Sequence, residues 1–258
     1  MNSRIGVIAF NTFREAVRDR VLYNLIVFAL IMIGASLLLG QITIGVERQL
    51  LINLGLTSIS IFGVLIAIFI GIGLVSKEID KRTLYTMLTR PVRRWEFILG
   101  KFFGLVITLA VNAGFMTLGF FIALLYLMHG FQRSDLSILV AIYFILLQFM
   151  IVTAIALVFS SFSTPIESAV LTFAFFVVGS FSEDLRGFAE VAKGTSHYFA
   201  VGMSYIIPNF SALNVIASVA HGNPVSHQLI LMNTLYAFTY AGTAVCLASL
   251  IFQNRNMK

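Results

Sequence analysis

The sequence predicts an all-α, polytopic membrane protein, and three observations carry that reading. Of 258 residues, 59% are hydrophobic and only 11% are charged, whereas a soluble domain carries about 25% charged residues. Several uncharged apolar runs reach the roughly 20 residues that a helix needs to cross a hydrocarbon core of about 30 Å. Finally, lysine and arginine gather in those connections that would share one side of the membrane, as topogenic charges do. The 25 phenylalanines point the same way, because a soluble core of this size could not hide so much apolar surface. One domain spanning 1–258 is expected, since no linker, repeat or low-complexity tract divides the chain.

The first element expected is an interfacial elbow helix over 1–20. Ile5, Ile8, Ala9, Phe13, Ala16 and Val17 recur at helical spacing, with Arg4, Asn11, Arg14, Arg18 and Asp19 elsewhere around the helix. It would lie along one leaflet, apolar side down. Glu15 and Asp19 fit a retained first helix better than a cleaved signal.

Six transmembrane helices follow, at 21–40, 54–75, 97–128, 136–160, 166–182 and 228–252. The third is long enough to tilt or protrude. With both termini cytoplasmic, that side holds Arg4, Arg14, Arg18, Arg20, Lys77, Lys81, Arg82, Arg90, Arg93, Arg94, Lys101, Arg255 and Lys258. Only Arg48, Arg133, Arg186 and Lys193 remain outside. Topology therefore accounts for the net charge of +6, and no nucleic-acid partner is expected.

Between the last two spans, 183–227 is expected to form external or re-entrant helices. An apolar run ending before Pro208 is followed by Phe210, Leu213, Val215, Ile216 and Val219, and that stretch stops at His221, Gly222, Asn223 and Pro224.

The longest cytoplasmic connection, 76–101, reads SKEIDKRTLYTMLTRPVRRWEFILGK, with the coupling loop proper over 76–97. Leu84, Met87 and Leu88 share one helical face with Tyr85 beside them, and Glu78 and Asp80 oppose the helix dipole. Pro91 breaks the chain direction, while Trp95 and a snorkelling Lys101 suit the interface. The apolar face fits a groove on another protein, or equally the membrane surface.

This loop, followed by Phe102, Phe103 and Gly104, resembles the membrane subunits of the ABC type-2 exporter superfamily. The positions that carry the resemblance are Glu78, Thr83, Pro91, Val92, Arg94, Gly100 and Lys101. Many members have glycine before the threonine, where this sequence has Arg82. The resemblance implies six spans, an elbow helix, external helices before the sixth span, and a coupling helix that docks on an ATPase. Glu78, Thr83, Leu84, Tyr85, Met87, Leu88, Pro91 and Arg94 are the coupling residues it implies. Two ABC ATPase subunits would be partners, with a second permease copy or a homologous permease, in a prokaryotic inner membrane. No G-x-x-x-x-G-K-[ST] run occurs in the chain, so no cofactor is expected in it, and ATP and Mg would be bound by the partner.

Other candidates are weaker. Thr164, Pro165 and Glu167 read as a helix-capping box. Gly100 and Gly104 form a GxxxG helix-packing pair, a weak sign of a dimer seam. Asn112 and Gln148 fall mid-span, where they would bond between helices or line a pathway. His129, His197, His221 and His227 match no metal signature, so no metal site is expected. Cys246 is expected to be a packing residue. No acidic or basic residue lies deep in a predicted span, which disfavours a proton-coupled carrier or charged-ring channel. The function expected is half of an ATP-driven export pathway. The alternatives are an ATP-independent channel or carrier, or a membrane-bound enzyme.

Overall fold

The computed structural model describes residues 2–18, 47–80, 93–128, 135–191 and 195–254, with isolated positions 27, 28, 31, 34 and 130. Among these residues there is no strand. The helices are α1 (Asn2–Arg18), α2 (Glu47–Asp80), α3 (Arg94–Met128), α4 (Leu136–Ser160), α5 (Pro165–Ser180), α6 (Ser182–Val191), α7 (Thr195–Ile206), α8 (Ile216–Ala220) and α9 (His227–Asn254), with a 3₁₀ turn at Ser211–Leu213.

Of these, α2, α3, α4 and α9 are long and apolar enough to cross a membrane. A fifth span results if α5 and the start of α6, which meet at a bend of 62°, count as one. These five match the second to sixth expected spans. The expected span over 21–40 lies almost wholly outside the described residues, although Phe28 is buried and meets Phe62 of α2 edge-on at 6.4 Å. With 35 residues, α3 is about 52 Å long and overruns the hydrocarbon core, as its sequence foretold.

Glycines set the helix pairing. A Cβ at Gly55 would sit 2.2 Å from the Phe120 ring, and one at Gly63 would sit 1.8 Å from the Phe149 ring, so each glycine of α2 is a socket for a phenylalanine. Gly71, further along α2, faces Ala156 and Leu105. These contacts run α2 alongside α4 in the same direction and α3 against α2 in the opposite one. The end where α2 gives way to α3 is called proximal below, and the other end distal.

The central helix is α4, which is apolar on all sides. In its apolar window 72% is buried, against 33% for α9. The latter turns Leu231, Met232, Leu235 and Phe238 outward, as a peripheral span does in lipid.

At the distal end Arg48, in the first turn of α2, is paired with Asp135, just before α4. Asp135 is fully buried and Arg48 is one-fifth exposed. Burial makes the pair costly to break, because either partner alone would keep an uncompensated charge.

The bend between α5 and α6 lets the chain segment after α7 fold inward. Gly179 leaves room for the Pro208 carbonyl, to which a Cβ would come within 2.6 Å, and for the Phe210 ring. Ile207, Phe210, Leu213, Val215, Ile216 and Val219 are buried, and α8 packs on α2 and α4. As expected, α7 stops before Pro208, which cannot continue a helix.

The polar backbone exposed by this break is bonded by side chains. Ser182 Oγ and the Ala212 N–H donate to Asn209 Oδ1 at 2.6 and 3.1 Å. The Asn209 N–H donates to Tyr236 Oη at 2.8 Å, and Tyr240 Oη donates to the Ile206 carbonyl at 2.9 Å. Asn233 Nδ2 donates to the Ala212 carbonyl. This is the condition for irregular backbone at membrane depth.

The expected cap at the start of α5 is also present. Pro165 takes the first helical position, and the Thr164 N–H donates to the Glu167 carboxylate at 3.1 Å.

Asp135→Ala should lower stability by about 3–5 kcal/mol by stranding Arg48, read as a lower thermal midpoint in detergent. Restoring neutrality with Arg48→Met in the same chain should recover part of the loss.

Candidate functional site

The proximal end is built on the first turns of α3. The Arg93 N–H donates to the Glu96 carboxylate at 3.0 Å, starting the helix, and Glu96 is buried. Gly100 and Gly104 then form a flat strip on which α1 lies. A Cβ at Gly100 would be 2.6 Å from Ile8, and one at Gly104 would be 2.6 Å from the Ala9 carbonyl and from Thr12. Since Ile8 meets Gly100 and Thr12 meets Gly104, α1 and α3 run side by side in the same direction.

Two sequence expectations change here. The glycine pair seats a helix of its own chain, so it is no sign of a seam between copies. The α1 stripe faces protein instead of lying down on a leaflet: Ala9 and Ala16 are buried, with Ile5, Ile8 and Phe13 half-buried. Thr12, which the apolar count passed over, is buried in the same face. Among the described side chains of α1, Val7 and Phe10 are the large apolar ones that are exposed. An amphipathic stripe fixes which face is covered without saying by what, and here the small residues of α3 cover it.

Lys101 departs from expectation too. Instead of reaching outward it is only 2% exposed, with Nζ 5.5 Å from the centre of the Phe97 ring. That ring stacks on Phe252 of α9 at 5.9 Å. Because α1, α2, α4 and α9 all pack on α3, the stem has no free surface along which to extend.

Of the residues expected mid-span, Gln148 bonds between helices. Its Nε2 donates to Ser60 Oγ on α2 at 3.2 Å. Asn112 does not: it is 2% exposed, and among the described residues neither its Nδ2 nor its Oδ1 has a hydrogen-bond partner. Thr108, one turn earlier, is buried and donates to the Gly104 carbonyl at 2.8 Å.

Of the expected coupling residues, Glu78 falls in the last turn of α2 and Arg94 is the first residue of α3. Thr83, Leu84, Tyr85, Met87, Leu88 and Pro91 lie outside the described residues. No group of three or more metal-ligating side chains occurs among the described residues. His221 Nδ1 lies 2.7 Å from the Ala217 carbonyl of its own helix, and Cys246 is exposed.

Sequence reasoning missed the Arg48–Asp135 pair, counting Arg48 only as a topogenic charge. The signal was there, since opposite charges stand at the starts of two spans that begin on one side. It also missed Asn209 and Tyr236, whose partners are set by a chain reversal that no periodicity encodes.

The family profile for ABC-2 family transporter proteins matches residues 7–255. The chain belongs to the ABC-2 transporter family. The match runs from within α1 to the end of α9 and takes in the glycine strip and the segment at the bend. The protein is thus an ABC-2 type permease, a multi-pass membrane component of transport. A comparison with individually curated proteins gives no match.

Gly104→Ala should unseat α1, because the clash is with a backbone oxygen that cannot rotate away. Overpacking of this kind costs about 1–3 kcal/mol. Faster amide exchange across Ala9–Ala16 would report it. Gly100→Ala, whose Cβ would lie 2.6 Å from Ile8 Cβ, an atom fixed to its own backbone, should have a comparable effect.

Proposed function

We propose that this ABC-2 permease forms half of the transmembrane pathway of an ATP-driven exporter and couples to a separate ATPase. The family match over nearly the whole chain carries the reading. The sequence adds that none of its 258 residues forms a phosphate-cradling G-x-x-x-x-G-K-[ST] run. ATP and Mg are then bound by two ATPase subunits, and a second permease, identical or homologous, completes the pathway.

In this reading the proximal end faces the cytoplasm of a prokaryotic cell and the chain sits in its inner membrane, both termini inside. Lys77, Lys81, Arg82, Arg90, Arg93 and Arg94 fall in the stretch of sequence that joins α2 to α3. Here α1 is the elbow helix, seated on α3 by its apolar stripe, with Val7 and Phe10 exposed on its other side. Glu78, Thr83, Leu84, Tyr85, Met87, Leu88, Pro91 and Arg94 form the contact with the ATPase. Its apolar members fill a groove and its charged ones set register. The short connection at Ser161–Thr164 is a second, smaller contact. ATP-driven closure of the ATPase pair moves the loop, and α2 and α3 transmit the movement into the bundle.

Affinity purification of the tagged chain from its native membrane should bring down a protein with a Walker A run. The double variant Glu78→Lys, Leu84→Asp should lose that partner while still inserting. Retained binding would return the loop to a purely topological role, and transport by the isolated chain without ATP would sink the exporter reading.

A further inference from the structure

The ion pair between Arg48 and Asp135 is not what stability alone would select. Apolar side chains of similar volume often hold a buried contact as well or better. Further along α2, Phe120 packs at Gly55, Phe149 packs at Gly63, and Ser60 bonds Gln148, all without charge. Nor does Arg48 serve its own helix. It lies in the first turn of α2, at the positive end of the helix dipole, where an acid is favoured and a cation is not. Asp135 directly precedes α4, where its charge suits the dipole. Arg48 therefore takes its gain from across the helix pair.

Position sets this pair apart from one at mid-membrane. Arg48 is one-fifth exposed, and Glu47 and Gln49 on either side of it are exposed, so the contact borders solvent. Charges that part here regain their hydration, whereas apolar side chains that part here only lose their contact. An ion pair at this depth is a fastening that can be undone and remade. Leu56 lies further in, one turn distal of Ser60 and on the same side of α2, and it is fully buried.

We propose that Arg48 and Asp135 form a latch, which holds the distal ends of α2 and α4 together and parts into water when those ends separate. The inference rests on the permease reading, in which the distal side opens to release cargo. It assigns that opening to one contact and makes the charge on both partners part of the device.

The test uses the full chain with its ATPase partner in lipid nanodiscs, which leave both faces open to nucleotide and reagent. Leu56→Cys, in a Cys246→Ala background, is labelled with N-ethylmaleimide, a neutral reagent that nearby charge changes neither attract nor repel. With the pair intact, labelling should be slow without ATP and rise about tenfold or more during ATP turnover, as local opening exposes the thiol. Arg48→Met and Asp135→Leu together should keep the thermal midpoint but abolish the rise, because an apolar contact does not reopen into water. A pair that only stabilises predicts the same rise with either contact. An undiminished rise in the apolar pair, or no rise with the ion pair intact, overturns the latch.

The chain alone supplies a reading that needs no ATPase. Asp135→Asn should label about tenfold faster than the intact chain, because its partner charge is stranded. The exchanged pair Arg48→Asp, Asp135→Arg should label slowly again, and so should the apolar pair. Unchanged labelling in Asp135→Asn, or fast labelling in both restored pairs, overturns the proposal. If no ATPase partner is found, the exporter reading falls by itself, while these rates still decide whether the pair holds the distal ends shut.

Discussion

Hydrocarbon offers no hydrogen bonds, and this constraint organises nearly everything in the structure. Regular helices meet it locally, since each peptide group finds its partner four residues away. Wherever the chain departs from a helix, side chains must take over. The segment around Pro208 shows what that takes: Asn209 bonds its own turn and Ser182, while Tyr236 and Tyr240 reach across from α9 to the free backbone groups. These bonds hold an irregular apolar segment against α2 and α4 with its polar atoms satisfied.

Within the bundle lipid is as apolar as leucine, so packing cannot lean on a hydrophobic difference between helix and solvent. Close fit replaces it. Gly55 and Gly63 admit phenylalanine rings from two different neighbours, while Gly100 and Gly104 admit the backbone of α1. Among the described residues, side-chain polar contacts between spans include Ser60 with Gln148 at mid-span, Tyr143 with Thr234 between α4 and α9, and Arg48 with Asp135 distally. Against that background the unpaired amide of Asn112 stands apart.

Much of the fold could be read from the chain, because hydropathy and length report directly on what the bilayer demands. The spans expected at 54–75, 97–128, 136–160 and 228–252 lie within α2, α3, α4 and α9, and the capping residues Thr164 to Glu167 start α5 as expected. The break at Pro208 was legible because proline acts locally. What could not be read was which surface faces which. The stripe on α1 was visible, but its partner on α3 was not, because a helical period encodes a direction and not a neighbour. Lys101 was misjudged for the same reason: four packed helices, invisible in a single segment, decide whether its stem can extend. For the site itself, the sequence singled out Asn112 and Gln148 alike, and the structure separates them.

The ties between α2 and α4 are graded along their length. Among the described side chains, they share an ion pair at the distal end, an amide and a hydroxyl at mid-span, and toward the proximal end the approach of Gly71 to Ala156, where a Cβ would lie at 3.3 Å. Two rods fastened in this way behave like tongs with the rivet at one tip. Among the described side chains, leverage applied to the far tips would meet van der Waals contact first and a buried charge last.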